Sequence, residues 1–485
     1  MKRHNEKGTA MLFAIILVLV LSVMAASMMF LSQSETWGSM NYRMMTQTRY
    51  GAEAGVHAAA NFLLNTYVPP AAIAGYNMTV PTPAACGNTP CVTDNAGNAI
   101  VLSTLSGVPS NYPDATQLGP FQAATNSSVQ AGNTAVNYTV SAQLLSIAKI
   151  TPFGTTTAKM VQTWKITGHG DIAGVRSAES EVSAILETQI TPAFGYAAFG
   201  DGAGCGTLNF SGNGTTDSYD SGALPLVAGV ATPPSTFNTF GGNLGTNGNQ
   251  TNNGSNVTVN GSLSTPDIGL GVCTAGNVTA LTGSLSQITG GLIQLPAPVT
   301  FPTPTTYPPG STNITTTQTL GPCVLSPCPY GDITLSGKDN VTLQPGTYNI
   351  NSVSLSGQAT ITIAPDPITG LYGPVIINVA GIGQSTPINL VGQGFSNPTL
   401  DPSIVQITYA GMGLVKIAGN GASAACVYAP NATASFAGNG SFYGSVIANT
   451  LTDVGNGAIH YDLRLKRKLY TVGTPTLNSF TWSKF

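Results

Sequence analysis

Charge is what this chain of 485 residues has least of. Asp, Glu, Lys and Arg make up 7% of it, where soluble domains usually carry about 25%. From Thr191 to His460 there is no glutamate and no arginine. Two lysines, Lys338 and Lys416, stand there against nine aspartates, a net charge of −7. That scarcity excludes a coiled coil, a basic nucleic-acid-binding protein and a charged disordered tail. Histidine is nearly missing too: His4, His57, His169 and His460 are scattered, and none sits in a nucleophile or metal motif. No glycine cluster, Gly438-Asn439-Gly440 included, ends in Gly-Lys-Ser/Thr, so there is no phosphate loop. Proline is absent before Pro69, which leaves the first stretch free to run as one helix.

Glycine, at 57 residues, and proline, at 32, are abundant, with Asn, Ser and Thr filling the stretches between them. This is the composition of secreted β-structure, whose turns need Gly, Asn and Asp. Hydrophobic residues make 42% of the chain, enough for sizeable cores, and the length implies two to four domains of about 100–200 residues each.

The N-terminus is the most legible part. Met1-Lys2-Arg3-His4-Asn5-Glu6-Lys7-Gly8 precedes an uncharged run to Ser34, and Met11 to Phe30 is apolar apart from Ser22 and Ser27. About twenty residues at about 1.5 Å each span the roughly 30 Å of a bilayer's hydrocarbon core. The basic residues come first, so that end stays cytoplasmic. A cleaved secretory signal has an apolar region of about 7–15 residues. This one is longer, and the helical pattern continues through Trp37, Met40, Met44, Thr48, Ala52, Val56, Ala59 and Leu63. Residues 9–64 as one helix measure about 84 Å, lipid-suited in the first half and amphipathic in the second.

These residues resemble a type IV prepilin. Lys7-Gly8 followed directly by an apolar helix looks like a prepilin leader, which implies cleavage between Gly8 and Thr9 by a prepilin peptidase. Tyr50-Gly51-Ala52-Glu53-Ala54-Gly55-Val56 resembles the Ala-Glu-Ala-Gly element (Ala52, Glu53, Ala54, Gly55) of PilX-type minor pilins. The sequence departs from ordinary pilins at two positions: Thr9 stands where Phe or Met is usual, and Phe13 where the fifth mature residue is a glutamate. The resemblance implies other pilin subunits as partners through the N-terminal helix. It also implies residence in the bacterial inner membrane before assembly, with a periplasmic C-terminal domain, and then at the cell surface.

Beyond the helix, residues 67–133 read as loops with short strands. Three alternating runs follow, built on Val136 to Leu144, Met160 to Ile166 and Val182 to Ile190, and they predict an antiparallel sheet with one apolar face for the helix. From about Ala198 a unit of apolar-x-apolar-[SAN]-Gly recurs, as in Ile333-Thr-Leu-Ser-Gly337 and Val353-Ser-Leu-Ser-Gly357. Such repeats predict stacked coils, a β-solenoid, with a β-sandwich as the alternative. Leu295–Thr317 reads as a loop or cross-connection. The expected fold is α+β: leader 1–8, helix 9–64, pilin-like β head 65–197, Gly/Asn-rich β domain 198–470 and tail 471–485. Thr216-Asp217-Ser218-Tyr219-Asp220-Ser221, Val427-Tyr428-Ala429-Pro430-Asn431-Ala432 and His460-Tyr461-Asp462 resemble a poorly characterised domain of large PilX-like surface proteins.

An exported chain meets an oxidising compartment, so the two C-x4-C pairs, Cys86/Cys91 and Cys323/Cys328, are expected as disulfides. Cys205, Cys273 and Cys426 are expected as small core residues. No histidine lies near either pair, so no metal and no cofactor are expected. Asp217 and Asp220 are a carboxylate pair that also reads as turn chemistry, and His460-Tyr461-Asp462 reads as a turn or strand end. Arg464, Lys466, Arg467 and Lys468 alternate partly with leucines, as in a strand with a charged outer face; no specific nucleic acid is expected. Without clustered acid–base groups the expected function is not enzymatic. It is that of a large minor pilin-like protein at a filament tip, acting in assembly priming and adhesion, with a surface or glycan ligand. The alternatives are a tethered β-helical polysaccharide-active enzyme and an envelope protein outside any filament.

Overall fold

The computed structural model describes residues 7–78, 86, 89–155, 157–173, 177–227, 229–417 and 422–484. A long N-terminal helix precedes a mostly β chain, the expected α+β class. The chain divides into two compact units: Met1–Ile150 with Met160–Gln189 and Gly473–Phe485, and Thr151–Lys159 with Ile190–Val472.

In the first unit, helix α1 spans Lys7–Asn65. Its face Thr48, Ala52, Val56, Ala59 and Leu63 is buried at steps of three and four residues. Trp37 and Met40, expected on that face, are exposed, because cover for the helix begins only at about Gln47. The cover is a sheet of β1 (Val101–Ser103), β2 (Ser127–Ala131), β3 (Thr134–Ile150), β4 (Lys159–Ile172) and β5 (Ala178–Pro192). Its order is β1-β3-β4-β5, with β2 also on β3, and β5 is followed by the C-terminal strand Tyr470–Lys484. The pairs β1–β3, β2–β3 and β4–β5 are antiparallel. Val140, Ala142, Leu144, Trp164, Ile166, Val182, Ala184 and Leu186 face inward, while Ile190, expected with them, is exposed where β5 passes the end of the covered face. A helix, α2 (Leu118–Thr125), lies within the stretch read as loops and short strands. It follows a 3-10 turn capped by Asp114, and it buries Phe121 completely.

The second unit begins with β6 (Ala198–Gly200), β7 (Leu208–Phe210) and β8 (Thr215–Tyr219). Its 20-stranded sheet is built from parallel ladders between successive turns of chain. One ladder climbs through Cys323–Pro329, Gly346–Ile350, Val375–Val379 and Val405–Tyr409. A second climbs through Asp332–Leu335, Ser352–Leu355, Ile388–Asn389 and Val415–Lys416. A third runs Gln318–Leu320, Asn340–Leu343, Thr360–Ile363 and Gly394–Ser396. Val, Ile, Leu and Phe from all three fill one core.

Chain order and stacking order differ. The last turn, Ser441–Gly455 and Ala458–Asp462, pairs on its outer edge with β6, β7 and β8. The turns at Leu244–Thr246 and Leu263–Thr265 continue outward from β6. The chain must therefore return to the far end of the stack, and the Pro/Thr-rich stretch Leu295–Thr317 does this. Val299 is clamped by the Asn247 side chain through two hydrogen bonds of 2.7 Å, and Tyr428 donates to the Pro302 carbonyl at 2.7 Å. Changing Asn247 to alanine removes both bonds, together with those its amide donates to the Asp201 carbonyl and carboxylate, at a buried position and is expected to cost about 2–3 kcal/mol. An unchanged denaturation midpoint would show that the stretch is held elsewhere.

Disulfides join Cys86 to Cys91 and Cys323 to Cys328. A third, Cys205–Cys273, replaces the expectation of two core thiols: the two loops meet across the stack with Cα atoms 5.6 Å apart, although 68 residues separate them in sequence. Cys426 is a free, wholly buried thiol.

Candidate functional site: an apolar helix and a buried polar cluster

The first feature is the N-terminal half of α1. It is long and apolar enough to cross a membrane, with a mean hydropathy of 2.7 over its best window, none of which is buried. Phe13 lies within this exposed run. The Ser22 hydroxyl donates to the Val18 carbonyl and Ser27 to Val23 at 2.8 Å, so the two polar side chains in the run are satisfied inside the helix, as lipid requires. Gly8 and Thr9 stand in the first turn of α1, while residues 1–6 of the expected leader lie outside the described residues.

The Ala52-Glu53-Ala54-Gly55 element sits where α1 meets the sheet. Ala52 is wholly buried, and a Cβ on Gly55 would touch Val140 and Tyr138. Glu53 turns outward, where its Oε1 accepts from Arg49 Nε at 2.8 Å. The small residues thus serve close approach, and the carboxylate serves a helix-surface ion pair. Two residues that sequence reasoning missed complete the contact: a Cβ on Gly168 would overlap the Ala52 carbonyl oxygen, and one on Gly170 the Thr48 carbonyl oxygen.

The second feature lies in the β stack. His460 and Asp217 occupy paired positions on Ala458–Asp462 and β8, and Asp217 Oδ1 stands 2.5 Å from His460 Nδ1. The His460 ring is stacked on Phe237, with centroids 3.7 Å apart, and tilted against Tyr443 at 4.8 Å. Only 5% of the histidine side chain reaches solvent. Asp220 does not join Asp217; its carboxylate caps a 3-10 turn through the Gly222 amide at 2.8 Å. The basic run is not a strand. Leu463–Arg467 is a 3-10 turn capped by Asp462, which buries Leu465. Asp462 is wholly buried. Burial pushes its carboxyl up, while Ser221 and the Arg464 amide work the other way. Burial also holds the Tyr219 phenol well above its usual range, aided by the charges of Asp462 and Asp401. Tyr219 donates to the Leu400 carbonyl at 2.6 Å, and Leu400 has a φ of 51°, a left-handed backbone that leucine rarely takes. Beside this cluster lies a cleft of about 480 Å³, bounded by Ser218, Tyr219, Asp220, Pro233, Thr236 and Asn238 among others. Among the described residues no group of three or more His, Cys, Asp or Glu is placed to hold a metal.

A family model described as "Domain of unknown function (DUF7305)" matches residues 331–468. This span includes His460, Asp462 and Lys468, but not Asp217. No curated protein matches the chain. Among solved structures, the competence-associated pilin ComZ from Thermus thermophilus aligns over 91% of this chain and 98% of its own, at 14% identity and a TM-score of 0.31.

The loose motifs of the sequence are neighbours in the fold. His460, Tyr461 and Asp462 pair in register with Asp217, Ser218 and Tyr219. What the sequence carried no signal for is Phe237, which reaches the histidine from a proline-rich loop.

Proposed function

We propose that this chain is a pilin-like surface subunit. It is anchored in the bacterial inner membrane and then assembled through α1, and it presents a β-solenoid domain outside. One observation carries the reading: a single helix whose first half is bare apolar surface and whose second half is buried under a sheet. Cleavage between Gly8 and Thr9 by a prepilin peptidase releases the subunit with Thr9 first. A tip position, with roles in assembly priming and adhesion, follows from Phe13. The glutamate at this position in shaft pilins pairs with the amine of the preceding subunit, and a first subunit has no predecessor. An unpaired carboxylate in lipid costs several kcal/mol. The cleft beside Tyr219 offers hydroxyl, amide and proline surfaces of the kind a surface glycan meets.

Mass spectrometry of filaments from cells expressing the chain is expected to find it with Thr9 as its N-terminus. An intact Met1, or cleavage beyond Phe30, would refute the processing. Immunogold labelling of the β domain is expected at filament ends. Regular labelling along shafts would remove the tip assignment, and labelling of membranes alone would leave a tethered envelope protein.

The Asp217–His460 contact supports a second reading, a surface polysaccharide-active enzyme. Cleavage of a polysaccharide by the purified chain, lost in Asp217→Asn, would favour it.

A further inference from the structure

Lys468 and Asp401 form an ion pair between segments 67 residues apart. The pair is sheltered, with 29% of the lysine side chain and 11% of the aspartate side chain exposed. Asp401 Oδ1 accepts from the amide and hydroxyl of Ser403 at 3.1 and 2.5 Å, so the carboxyl is fixed from one side, and Oδ2 faces the amine. A second carboxyl, Asp462, lies near enough for the Asp401 charge to act on it. Asp462 Oδ1 accepts from the amides of Ser221 and Arg464, both at 3.1 Å. Asp462 Oδ2 is buried and has no hydrogen-bond partner among the described residues. The charges of Asp401 and Asp462 both bear on the Tyr219 phenol and the buried Cys426 thiol, which places all four groups in one neighbourhood. Tyr219, Ala231, Leu400, Ala424 and Tyr443 pack together there as an apolar cluster.

In water an ammonium and a carboxylate do not condense. The amine is protonated, and water is present in excess to reverse the reaction. The arrangement here differs in three respects. The amine is held against one carboxyl oxygen, the Asp401 side chain is 11% exposed, and burial pushes the neighbouring Asp462 carboxyl up. Burial raises the affinity of the Asp462 carboxyl for a proton, which suits it to assist a proton transfer.

We propose that Lys468 and Asp401 are joined by an amide cross-link that the folded chain makes itself, with Asp462 as the assisting acid. The ammonium passes one proton to the Asp401 carboxylate. The neutral Nζ adds to Cγ of Asp401, so a C–N bond forms. One C–O bond breaks, and its oxygen leaves as water with one proton from the carboxyl and one from the nitrogen. Asp462 relays the proton from nitrogen to the departing oxygen and ends as it began. Nothing is oxidised or reduced, and no co-reactant is needed.

The position gives the bond a use. Lys468 stands just before Gly473, where the chain leaves the second unit for the first. A pull transmitted through that exit reaches the last turn of the stack first. A covalent tie to Asp401 carries the pull into an inner turn, instead of leaving the edge to peel. The inference stands whether or not the chain enters a filament.

The test is peptide mass mapping of the full chain, purified in detergent, reduced and digested with trypsin. The expected result is a branched peptide containing Asp401 and Lys468, lighter than its two parts by one water, with no cleavage after Lys468. Recovery of the two segments as separate, unmodified peptides would overturn the proposal. In Asp462→Asn the expected result is a folded chain, by its circular dichroism, in which the two peptides are recovered unlinked. Full cross-linking in that variant would remove the role given to Asp462. If the variant does not fold, the parent's own map still decides whether the bond exists.

Discussion

Gly170→Val is expected to unseat α1 and unfold the first unit. Gly168 and Gly170 lie on β4 opposite Val182 and Ser180 of β5. Their missing side chains form the floor on which the helix rests. A Cβ on Gly170 would overlap the Thr48 carbonyl oxygen and crowd the Ala52 amide, and one on Gly168 would overlap the Ala52 carbonyl oxygen. These are backbone atoms of a regular helix, so no rotamer change relieves the clash, and the whole element must lift. Overpacking a core usually costs about 1–3 kcal/mol, and more where backbone must move. Lifting α1 also re-exposes Val56, Ala59, Phe62 and Leu63, each now buried, and full burial of a large apolar side chain is worth about 1.5–3 kcal/mol. The sum reaches about 5 kcal/mol, comparable with the whole stability of many domains. The readout is denaturation followed by the fluorescence of buried Trp164. Gly119→Ala in α2 serves as the control: nothing lies within 4 Å of its added Cβ, and a helical Gly→Ala change is neutral or mildly stabilising. Equal midpoints for Gly170→Val and the parent would refute this account of the helix seat.

The same residues show how far the sequence could be read. On β4 the alternation Trp164, Ile166 is visible because both are large. It then continues through Gly168 and Gly170, which have no side chain for a hydrophobic pattern to detect. The helix face was legible from Thr48 onward, because the sheet covers it there. Trp37 and Met40 carry the same periodicity, yet nothing in the sequence marks where the cover begins.

In the β region, the repeats Ile333-Thr-Leu and Val353-Ser-Leu pair in register, as do Val415-Lys and Ala434-Ser. The Gly-Asn turns were legible as turns, but their stacking was not. Asn439, Asn456, Asn213 and Asn256 form a ladder of side-chain amide hydrogen bonds of 2.7–3.0 Å over successive turns. Two of those residues come from the end of the chain and two from the start of the β region. No local pattern announces that the last turn meets the first. For the same reason Cys205–Cys273 and Asp217–His460 were not legible as pairs, whereas the short loops of Cys86/Cys91 and Cys323/Cys328 were.

The second unit is expected to lose about 4 kcal/mol of stability between pH 4 and pH 7 through one residue, Asp453. This aspartate pairs with Phe210 on one side and Phe436 on the other, and it is 1% exposed. Its Oδ1 is buried without a hydrogen-bond partner among the described residues. Burial pushes its carboxyl from 3.8 up to about 7. The sign follows from which state holds the proton. Between those two values the folded chain keeps the acid neutral, while the unfolded chain has already released it. The contribution is therefore complete below about pH 4, falls as pH rises, and is gone above about pH 7. A tenfold difference in proton affinity between the folded and unfolded chain is worth about 1.4 kcal/mol, which over that pH range gives the stated size. Asp453→Asn keeps the shape and removes the titration. It is expected to flatten this part of the stability–pH curve and, above pH 7, to exceed the parent, because the parent must then bury a charge beside two phenylalanine positions. Other buried acids, Asp462 among them, bend the curve of both proteins alike, so the difference between parent and variant isolates Asp453. Urea midpoints measured across that range decide it: parallel curves for the two proteins would mean that Asp453 is charged in the fold and has found a partner.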